Sequence, residues 1–406
     1  MKKHCCTKEP LLKIKKEIIK YINSYENKKT KSIGDEEIIN IKIVYHICYL
    51  DSNENIERDI INATRILNED FNKKSSNFDN GREIYNVKNS NITLLKYRPY
   101  KSYKKPKKYI RITRNILRNR RRYIREIRRN RNRRRYNRRA RIYNRRSRRY
   151  NRRARRYNSR IRKINRIRQK IIDNYNNLKK ISDIYNDYIS RSDTCNINFI
   201  YDKKIINPIN NIETYDLSVI DEILKINHSP IQSGDEYKLN IWIVNFDHNL
   251  LGYAQFPWDL NIYPKTDGVV IDMNTFKQDV LYSNYNLGKT LSHEVGHWFG
   301  LYHVFQESFT EQVGGVDTNN DGVLSIGEIT GDLVQDTPPQ NEPTYGNPYT
   351  NKEWPTSVIN GITYYNMFMN LMDYSYDINL FMLTKEQCYK VRLFINTYRY
   401  NFHYVN

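Results

Sequence analysis

HEVGHWFGLYH, residues 293–303, is the stretch of sequence that decides the fold. On a helix, His293 and His297 lie one turn apart on the same face, so that their imidazoles can share one cation. Gly300 can adopt backbone angles that other residues avoid, and a sharp turn there brings His303 back as a third ligand. Three neutral nitrogens leave a fourth position open for water, as in catalytic zinc sites. The stretch therefore predicts a zinc site built from these three histidines.

Glu294 follows the first histidine and is placed to contact a zinc-bound water rather than the metal itself. Zinc lowers the pKa of such a water and polarises a peptide carbonyl, and the carboxylate can act as the general base. Surface histidines on an ordinary helix are the alternative interpretation, and a bare HExxH would leave it open. The full HExxHxxGxxH pattern is much harder to meet by chance, and it favours a zinc-dependent endopeptidase.

A second motif, NLMDYS at 370–375, follows the zinc motif in the chain. Metzincins place a methionine turn beneath their metal, and this motif resembles such a turn at Met372. Within the metzincins the chain is similar to the pappalysin/cytophagalysin family, over 55–71, 239–246, 250–258, 267–272, 331–338 and the two motifs. The family implies that Tyr374 approaches the metal and stabilises the oxyanion. Core packing is the plainer interpretation of both side chains.

The resemblance also implies a fold of the α+β class. We expect a twisted, mostly parallel sheet, backing and active-site helices above the cleft, and an irregular C-terminal part with a closing helix. Residues rich in β-branched and aromatic types predict strands at 39–50, 197–201, 239–245 and 268–271. Helical spacing predicts helices at 11–25, 53–71, 287–301 and 384–399, with Asn53 as a cap, while 304–365 should be mostly irregular. We divide the chain into a pro-like or flexible segment 1–37, a first catalytic part 38–95, an Arg/Tyr-rich low-complexity insertion 96–190 and the catalytic remainder 191–406.

The insertion carries the unusual charge of the chain. Residues 96–170 sum to +36, whereas the remainder sums to −11, within a total of +25. The centre repeats YNRRARI, YNRRSRR and YNRRARR from Tyr136, Tyr143 and Tyr150, and tyrosine is the only apolar position that recurs. Without a two-position seam, and with arginines repelling one another, the segment is predicted to be disordered or conditionally helical. It could bind nucleic acid or another polyanion, bind an acidic protein, or act as a solvated spacer.

DTNNDGVLSIGE, residues 317–328, fits the calcium loop of an EF-hand. Oxygen donors stand at the required positions of the loop, at Asp317, Asn319, Asp321, Val323 (through its carbonyl), Ser325 and Glu328. The flanks are poor helices, so we expect an isolated calcium loop rather than a full EF-hand, and a polar turn without an ion is the alternative. The family resemblance implies a further calcium, with Asp332, the carbonyl of Gln335 and Thr337 as matching positions.

Five cysteines are scattered at 5, 6, 48, 195 and 388, and no disulfide framework is visible. The family commonly has disulfides in its C-terminal part, but that part offers only Cys388 here, so those bridges cannot form. A reducing compartment, or bracing by calcium, is the expected consequence. The N-terminal residues lack the apolar run of a signal peptide and no stretch approaches a membrane span, which predicts a soluble chain without classical secretion. Cys5 or Cys6 could cap the zinc in a latent form, although two incidental cysteines are the simpler interpretation.

Specificity and function follow from the same resemblance. Some family members prefer Arg or Lys after the scissile bond, and Asp377 is the residue that could favour such side chains here. With that preference, the insertion would be a string of self-cleavage sites. The leading interpretation is a zinc endopeptidase, with calcium as a second cofactor, that acts on proteins or peptides. The rival is a nucleic-acid- or polyanion-binding protein with a protease-like scaffold, and the complete zinc motif favours the enzyme.

Overall fold

The computed structural model describes residues 4–5, 37–49, 56–75, 77, 118–119, 121–122, 133–226, 230–247, 249–277, 284–306, 332–351, 354–359 and 361–403. The chain divides into two compact units, Met1–Tyr85 together with Ile184–Asn406, and Asn86–Asp183. The predicted helix at 11–25, the Asn53 cap and the calcium loop 317–328 lie outside the described residues. The division into four segments stays a prediction.

A six-stranded sheet with the order β1-β5-β6-β4-β2-β3 forms the centre of the first unit. The strands are β1 (His4–Cys5), β2 (Ile39–Ile47), β3 (Ile197–Ile206), β4 (Leu239–Val244), β5 (Leu250–Ala254) and β6 (Val269–Asp272). All neighbours pair in parallel except β5 and β6, which are antiparallel. The central strands β2 and β4 are almost wholly buried, which is why they read as near-continuous apolar runs. The expected α+β fold with a mostly parallel sheet is confirmed.

The helices agree with the main predictions from the sequence pattern. They are α1 (Ile56–Phe71), α2 (Arg133–Arg191), α3 (Leu217–Asp221), α4 (Pro230–Ser233), α5 (Met273–Phe276), α6 (Lys289–Trp298), α7 (Pro348–Asn351), α8 (Lys385–Tyr398) and α9 (Tyr400–His403). Single π or 3-10 turns add Glu222–Ile226, Pro257–Asp259, Pro264–Thr266 and Asp377–Asn379. Helices α1 and α6 bury their apolar stripes, including Leu67 and Val295, in one core cluster with strands β2 and β4. This packing sets the position of α6, which carries the zinc motif.

The C-terminal part is largely irregular and ends in the expected closing helix α8. It also contains a hairpin of β7 (Thr356–Ile359) and β8 (Ile362–Tyr365), which the prediction of an irregular stretch missed. Helix α8 begins with a capping box between Thr384 and Gln387, and Gln387 also bonds to Asn370 just before the methionine turn. The closing helix therefore supports the turn directly.

A buried ion pair attaches the chain after α8 to the active-site helix. The guanidinium of Arg399 donates to both oxygens of Asp267, at 2.6 and 2.7 Å, and lies 3.7 Å from the ring centroid of Trp298. The same carboxylate accepts the indole N–H of Trp298. Both charged groups are buried and share two hydrogen bonds. Each group therefore replaces the water that the other loses on burial.

One disulfide corrects the prediction made from the cysteines. Cys195, just before β3, is bonded to Cys388 on α8, with their Cα atoms 4.6 Å apart. The two residues are 193 positions apart in the chain, so no local spacing could have indicated the pairing. No disulfide framework was visible from the sequence, because the partner of Cys388 lies just before β3 rather than in the C-terminal part.

Helix α2 corrects the interpretation of the tyrosine repeat. Arg133–Arg191 is one continuous helix of 59 residues. A second position recurs four residues after each tyrosine, and it is occupied by Ala140, Ser147, Ala154 and Ile161. These side chains are half-buried, as are Tyr143 and Tyr150, so a two-position stripe exists where only one position was recognised. The second position was overlooked because Ala and Ser are small.

No described helix is long and apolar enough to cross a bilayer.

Candidate active site

The active-site helix α6 is buried along its whole length. Gly288, which precedes it, has a φ of 78° and offers no capping side chain. Asp377 supplies the cap from the chain after the methionine turn, because its Oδ2 accepts the backbone N–H groups of Leu287, at 2.8 Å, and Lys289, at 3.3 Å. The residue predicted to set specificity thus also holds the start of α6.

The three predicted zinc ligands come together in the structure. The Nε2 atom of His297 lies 3.2 Å from that of His293 and 3.0 Å from that of His303, and the last two are 3.2 Å apart. Nitrogens bound tetrahedrally to zinc at about 2.0–2.1 Å lie roughly 3.3 Å from one another. Within the described ranges, no other group of three His, Cys, Asp or Glu side chains converges in this way. The residues present therefore fit a zinc ion.

Backbone carbonyls orient two of the imidazoles. Nδ1 of His293 lies 2.7 Å from the carbonyl oxygen of Leu371, and Nδ1 of His297 lies 2.7 Å from that of Leu301. Because a carbonyl only accepts, each Nδ1 carries the proton and each Nε2 keeps its lone pair for a metal. Burial lowers the pKa of His293 to about 4, and it holds the pKa values of His297 and His303 well below their usual range. All three imidazoles are therefore neutral near pH 7, as metal binding requires.

The turn predicted after the helix is present at Gly300, which has a φ of 93°. Its N–H donates to the carbonyl of His297, at 2.8 Å, and closes the helix. A Cβ atom at this position would lie 2.2 Å from a ring carbon of Phe394. Glycine is therefore required both for the backbone angle and for the packing that returns His303 to the site.

Glu294 is fully buried at the wall of the cleft, next to His293. Strand β5 passes it at Gly252, where a Cβ atom would lie 3.0 Å from Cγ of Glu294 and 2.8 Å from the carbonyl oxygen of Val270. Only glycine allows the strand to pass this close to the predicted general base. Sequence reasoning did not single out Gly252, because this packing joins residues that are far apart in the chain.

The methionine turn lies against the helix, as the family resemblance implies. A Cβ atom at Gly296 would lie 2.5 Å from Sδ of Met372, so the two segments pack at the closest possible distance. The hydroxyl oxygen of Tyr374 lies 3.1 Å from Nε2 of His303. Tyr374 is therefore within reach of the metal position, where its predicted role as an oxyanion donor is chemically possible.

A buried ionic network beside the site was missed from the sequence. The ammonium group of Lys289 lies 2.5 Å from Oδ1 of Asp70 on α1, and it also donates to the hydroxyl of Ser75. Oδ2 of Asp70 accepts the hydroxyl of Ser292, at 2.6 Å. The network joins α1 to the first turn of α6. The available signal was a charged residue in the buried stripe of each helix, which needs a partner.

The cleft beside the three histidines has about 370 Å³ of free space, part of which is open to solvent. It is lined by Leu251, Tyr285, Lys289, Thr290, His293, Glu294, Asp373, Tyr374, Ser375, Asp377 and Leu380. Burial raises the pKa of Asp373 to about 6 and that of Asp377 to about 7. Oδ1 of Asp373 accepts the backbone N–H groups of Thr344 and Tyr374, so it connects the loop before α7 to the methionine turn. Three carboxylates thus line the cleft, and the single lysine is paired with Asp70.

The calcium positions implied by the resemblance are partly assembled. Thr337 donates its hydroxyl to Oδ2 of Asp332, at 2.6 Å, whereas the backbone N–H of Gln335 donates to Glu386. The buried ammonium of Lys390 donates to the carbonyl oxygen of Asp332, at 2.9 Å. A lysine therefore already contacts the backbone of Asp332, and calcium at these three residues stays a prediction.

The N-terminal strand β1 pairs with β5, in a register that places Cys5 opposite Gly252. Leu251 of the same strand β5 lines the cleft. The side chains of Cys5 and Cys6, and with them the proposed metal cap, lie outside the described part of the chain.

Comparisons with known proteins identify part of the chain. Residues 234–396 match the model of the peptidase M43 family, described as pregnancy-associated plasma protein-A. An extracellular metalloprotease of Sordaria macrospora is 35% identical over 174 residues, which cover 42% of this chain and 53% of the relative. One of Arthroderma otae is 33% identical over 167 residues, covering 40% and 53%. The chain thus spans about half the length of these curated relatives.

The fold has a solved counterpart of low sequence identity. A promirolysin variant of Tannerella forsythia superposes with a TM-score of 0.51 at 21% identity, covering 95% of this chain and 92% of that chain. Together with the histidine cluster and the methionine turn, these findings support a fold of the metzincin class. Within that class, residues 234–396 are similar to the pappalysin-like peptidase M43 family.

The same comparisons overturn the expected compartment. The curated relatives are named extracellular, and the chain forms the disulfide between Cys195 and Cys388. Disulfides form and persist in oxidising compartments. The expectation of a reducing compartment was therefore wrong, because it rested on counting cysteines only within the C-terminal part.

Proposed function

We propose that the chain is a zinc-dependent endopeptidase. The observation that supports this most strongly is the convergence of three neutral imidazole nitrogens, of two buried histidines and the half-buried His303, at 3.0–3.2 Å beside a buried carboxylate. A zinc ion in this position would polarise the scissile carbonyl and lower the pKa of a water molecule. His293, His297 and His303 would hold the ion and leave one position open.

Glu294 acts as the general base in this proposal. Its carboxylate takes a proton from the attacking water and delivers it to the leaving amine, so that the peptide bond breaks without a charged amide anion. The hydroxyl of Tyr374, next to His303, donates to the oxyanion that forms on the carbonyl. Gly252 and Met372 position these groups through close packing and take no part in the chemistry.

We propose that the peptidase prefers substrates with a basic side chain after the scissile bond. Above about pH 7, where Asp373 and Asp377 are ionised, these two carboxylates and Glu294 give the cleft a negative lining, while Lys289 is paired with Asp70. Asp377 contributes from a buried position, where it already accepts two backbone N–H groups. Its effect on an Arg or Lys side chain would therefore act through charge across the cleft wall rather than through a freely exposed carboxylate.

The proposed test is cleavage of a peptide library by the zinc-loaded chain, with a Glu294→Gln variant as the matched control. Loss of the general base should lower kcat about 100- to 10,000-fold with the zinc content unchanged. The products would show whether Arg or Lys follows the cut. Cleavage that survives in the variant would refute the role of Glu294, and equal inactivity of both zinc-loaded proteins would count against the enzyme.

Calcium at 317–328 is a separate proposal and is supported by the loop pattern. Titration calorimetry of the metal-free chain should show calcium binding that Glu328→Gln abolishes, because the bidentate ligand is removed. Calcium binding that is unchanged in the variant would assign the ion to a different place.

Polyanion binding through 96–170 is the second candidate function. It is supported by sixteen exposed Arg and Lys side chains between Arg138 and Lys170. An acidic protein as partner and a solvated spacer remain the alternatives. A chain that binds a polyanion and cleaves no peptide would leave this as the main function.

A further inference from the structure

The basic part of helix α2 has no role in the proposed peptidase. Between Arg133 and Lys170 the helix contains no Asp or Glu, and the next acidic residue is Asp173. Every Arg and Lys from Arg141 to Lys170 is exposed. Repulsion between this many like charges destabilises an isolated helix. An anionic partner would reduce that repulsion and stabilise the helix.

The heptad repeat sorts the charges onto one side. With 100° per residue and Ala140 at 0°, the cationic residues of 141–156 fall between roughly 60° and 240°, with Ile142 as the one apolar residue among them. Tyr143, Ser147, Tyr150 and Ala154 fall on the opposite side and are half-buried. We name the Arg and Lys side chains of 141–156 the cationic face.

The spacing of the charges matches a nucleic-acid backbone. Sixteen exposed cations between Arg138 and Lys170 occupy about 50 Å of helix, at about 1.5 Å per residue, or one charge per roughly 3 Å. Along the axis of a DNA duplex each strand carries one phosphate per about 3.4 Å, so the cations are about as many as the phosphates of one strand over the same length. Most of the cations are arginines, whose planar guanidinium groups bind phosphate oxygens in pairs.

The width of the cationic face favours a duplex over a single strand. Rows of arginine on both flanks of a helix about 10–12 Å across can reach two phosphate backbones at once. The major groove of B-form DNA is about 12 Å wide and admits such a helix, whereas that of A-form RNA is deep and narrow. We propose that the cationic face of α2 binds the phosphate backbones of double-stranded DNA, without sequence preference. This deepens the second candidate function and does not depend on peptide cleavage.

The test is fluorescence anisotropy with a labelled 24-base-pair DNA duplex and the full chain carrying Glu294→Gln, so that no self-cleavage occurs. We expect binding whose log K falls with log salt at a slope of about −5 or steeper. Changing Arg148, Arg149, Arg152, Arg153, Arg155 and Arg156 to Gln should weaken binding about 100-fold or more at 100 mM salt. It should also reduce the slope by up to about one unit for each phosphate that is no longer bound by an arginine.

Two matched variants separate charge from helix structure. The same six positions changed to Lys should keep affinity within about fivefold, since charge dominates backbone binding. Asn144, Asn151 and Asn158, which lie off the cationic face, should change to Gln without effect. Undiminished binding by the six-Gln variant would overturn the proposal. Tighter binding of single-stranded DNA, duplex RNA, polyglutamate or a sulfated polysaccharide of equal charge would overturn it as well.

Discussion

Helices α6 and α2 are stabilised in opposite ways. Helix α6 has ten residues, all buried, and its ends are held by partners from other parts of the chain. Helix α2 has 59 residues, and its basic portion exposes nearly every side chain outside one narrow stripe. Short helices are marginal alone and depend on tertiary packing, whereas a long helix gains its own hydrogen bonds residue by residue. Substitutions should therefore be costly around α6 and nearly neutral on the exposed side of the basic portion of α2.

The largest expected effect is at the ion pair that attaches the chain after α8 to α6. Arg399→Met leaves the carboxylate of Asp267 buried without its bidentate partner, so the free energy of unfolding should fall by about 3 to 5 kcal/mol. Chemical denaturation of the intact chain measures this decrease. The double variant Arg399→Met and Asp267→Leu should recover part of the lost free energy of unfolding, because neither charge is then buried. A decrease below about 1 kcal/mol for the single change would show that α6 does not depend on this attachment.

The next effect concerns catalysis rather than stability. Gly252→Ala places a Cβ atom 3.0 Å from Cγ of Glu294, so either the strand or the carboxylate must shift. We expect kcat to fall about 10- to 100-fold with zinc content unchanged, because displacement of a catalytic group by a fraction of an ångström is sufficient.

Gly361→Ala is the control for this substitution. A Cβ atom there meets no neighbour, but the φ of 77° strains any other residue in the hairpin turn. It should lower stability and leave kcat alone. If both variants reduce kcat equally, the effect of Gly252→Ala is on folding and not on Glu294.

The third prediction is a pH dependence at the cap of α6. Burial raises the pKa of Asp377 from 3.8 to about 7, so the folded chain binds a proton that the unfolded chain releases between these values. The free energy of unfolding contributed by this group therefore falls as the pH rises from about 4 to about 7. The amide oxygen of Asp377→Asn still accepts the backbone N–H groups, but the side chain does not titrate, so the variant should lack this decline. Above pH 7 its free energy of unfolding should exceed that of the wild type by at most about 4 kcal/mol.

Denaturation curves at several pH values test this prediction, with Tyr374→Phe as a cleft variant that keeps the carboxyl group. The curve of the Phe variant should run parallel to the wild type. Parallel curves for the Asn variant as well would place the titration elsewhere. Peptide profiling of Asp377→Asn also tests specificity, since a loss of preference for basic residues is expected only if the carboxylate charge reaches the substrate.

The sequence predicted what depends on local spacing and missed what depends on distant contacts. The zinc ligands, the turn at Gly300 and the strands β2 and β4 follow from spacing within a few residues. The antiparallel strand β5 is short and interrupted by Gly252, so its pattern is weak. Cys195 with Cys388, and Lys289 with Asp70, join residues about 200 positions apart, and only the fold reveals them. On α2 the repeat was visible, but its small residues concealed the second position of the stripe.

The smallest expected effect is on the stability of α2 itself. Six pairs among the arginines at 148, 149, 152, 153, 155 and 156 lie three or four residues apart and repel at low salt, at about a few tenths of a kcal/mol per pair. Changing them to Gln should therefore leave the helix intact and slightly more stable at about 10 mM salt, and the gain should disappear at about 500 mM, where repulsion is screened. Hydrogen exchange across 138–170 in the full chain measures this directly. Faster exchange in the variant at both salt concentrations would mean that the arginines stabilise α2 through contacts. Helix α2 would then depend on its side-chain contacts as α6 does, only to a smaller extent.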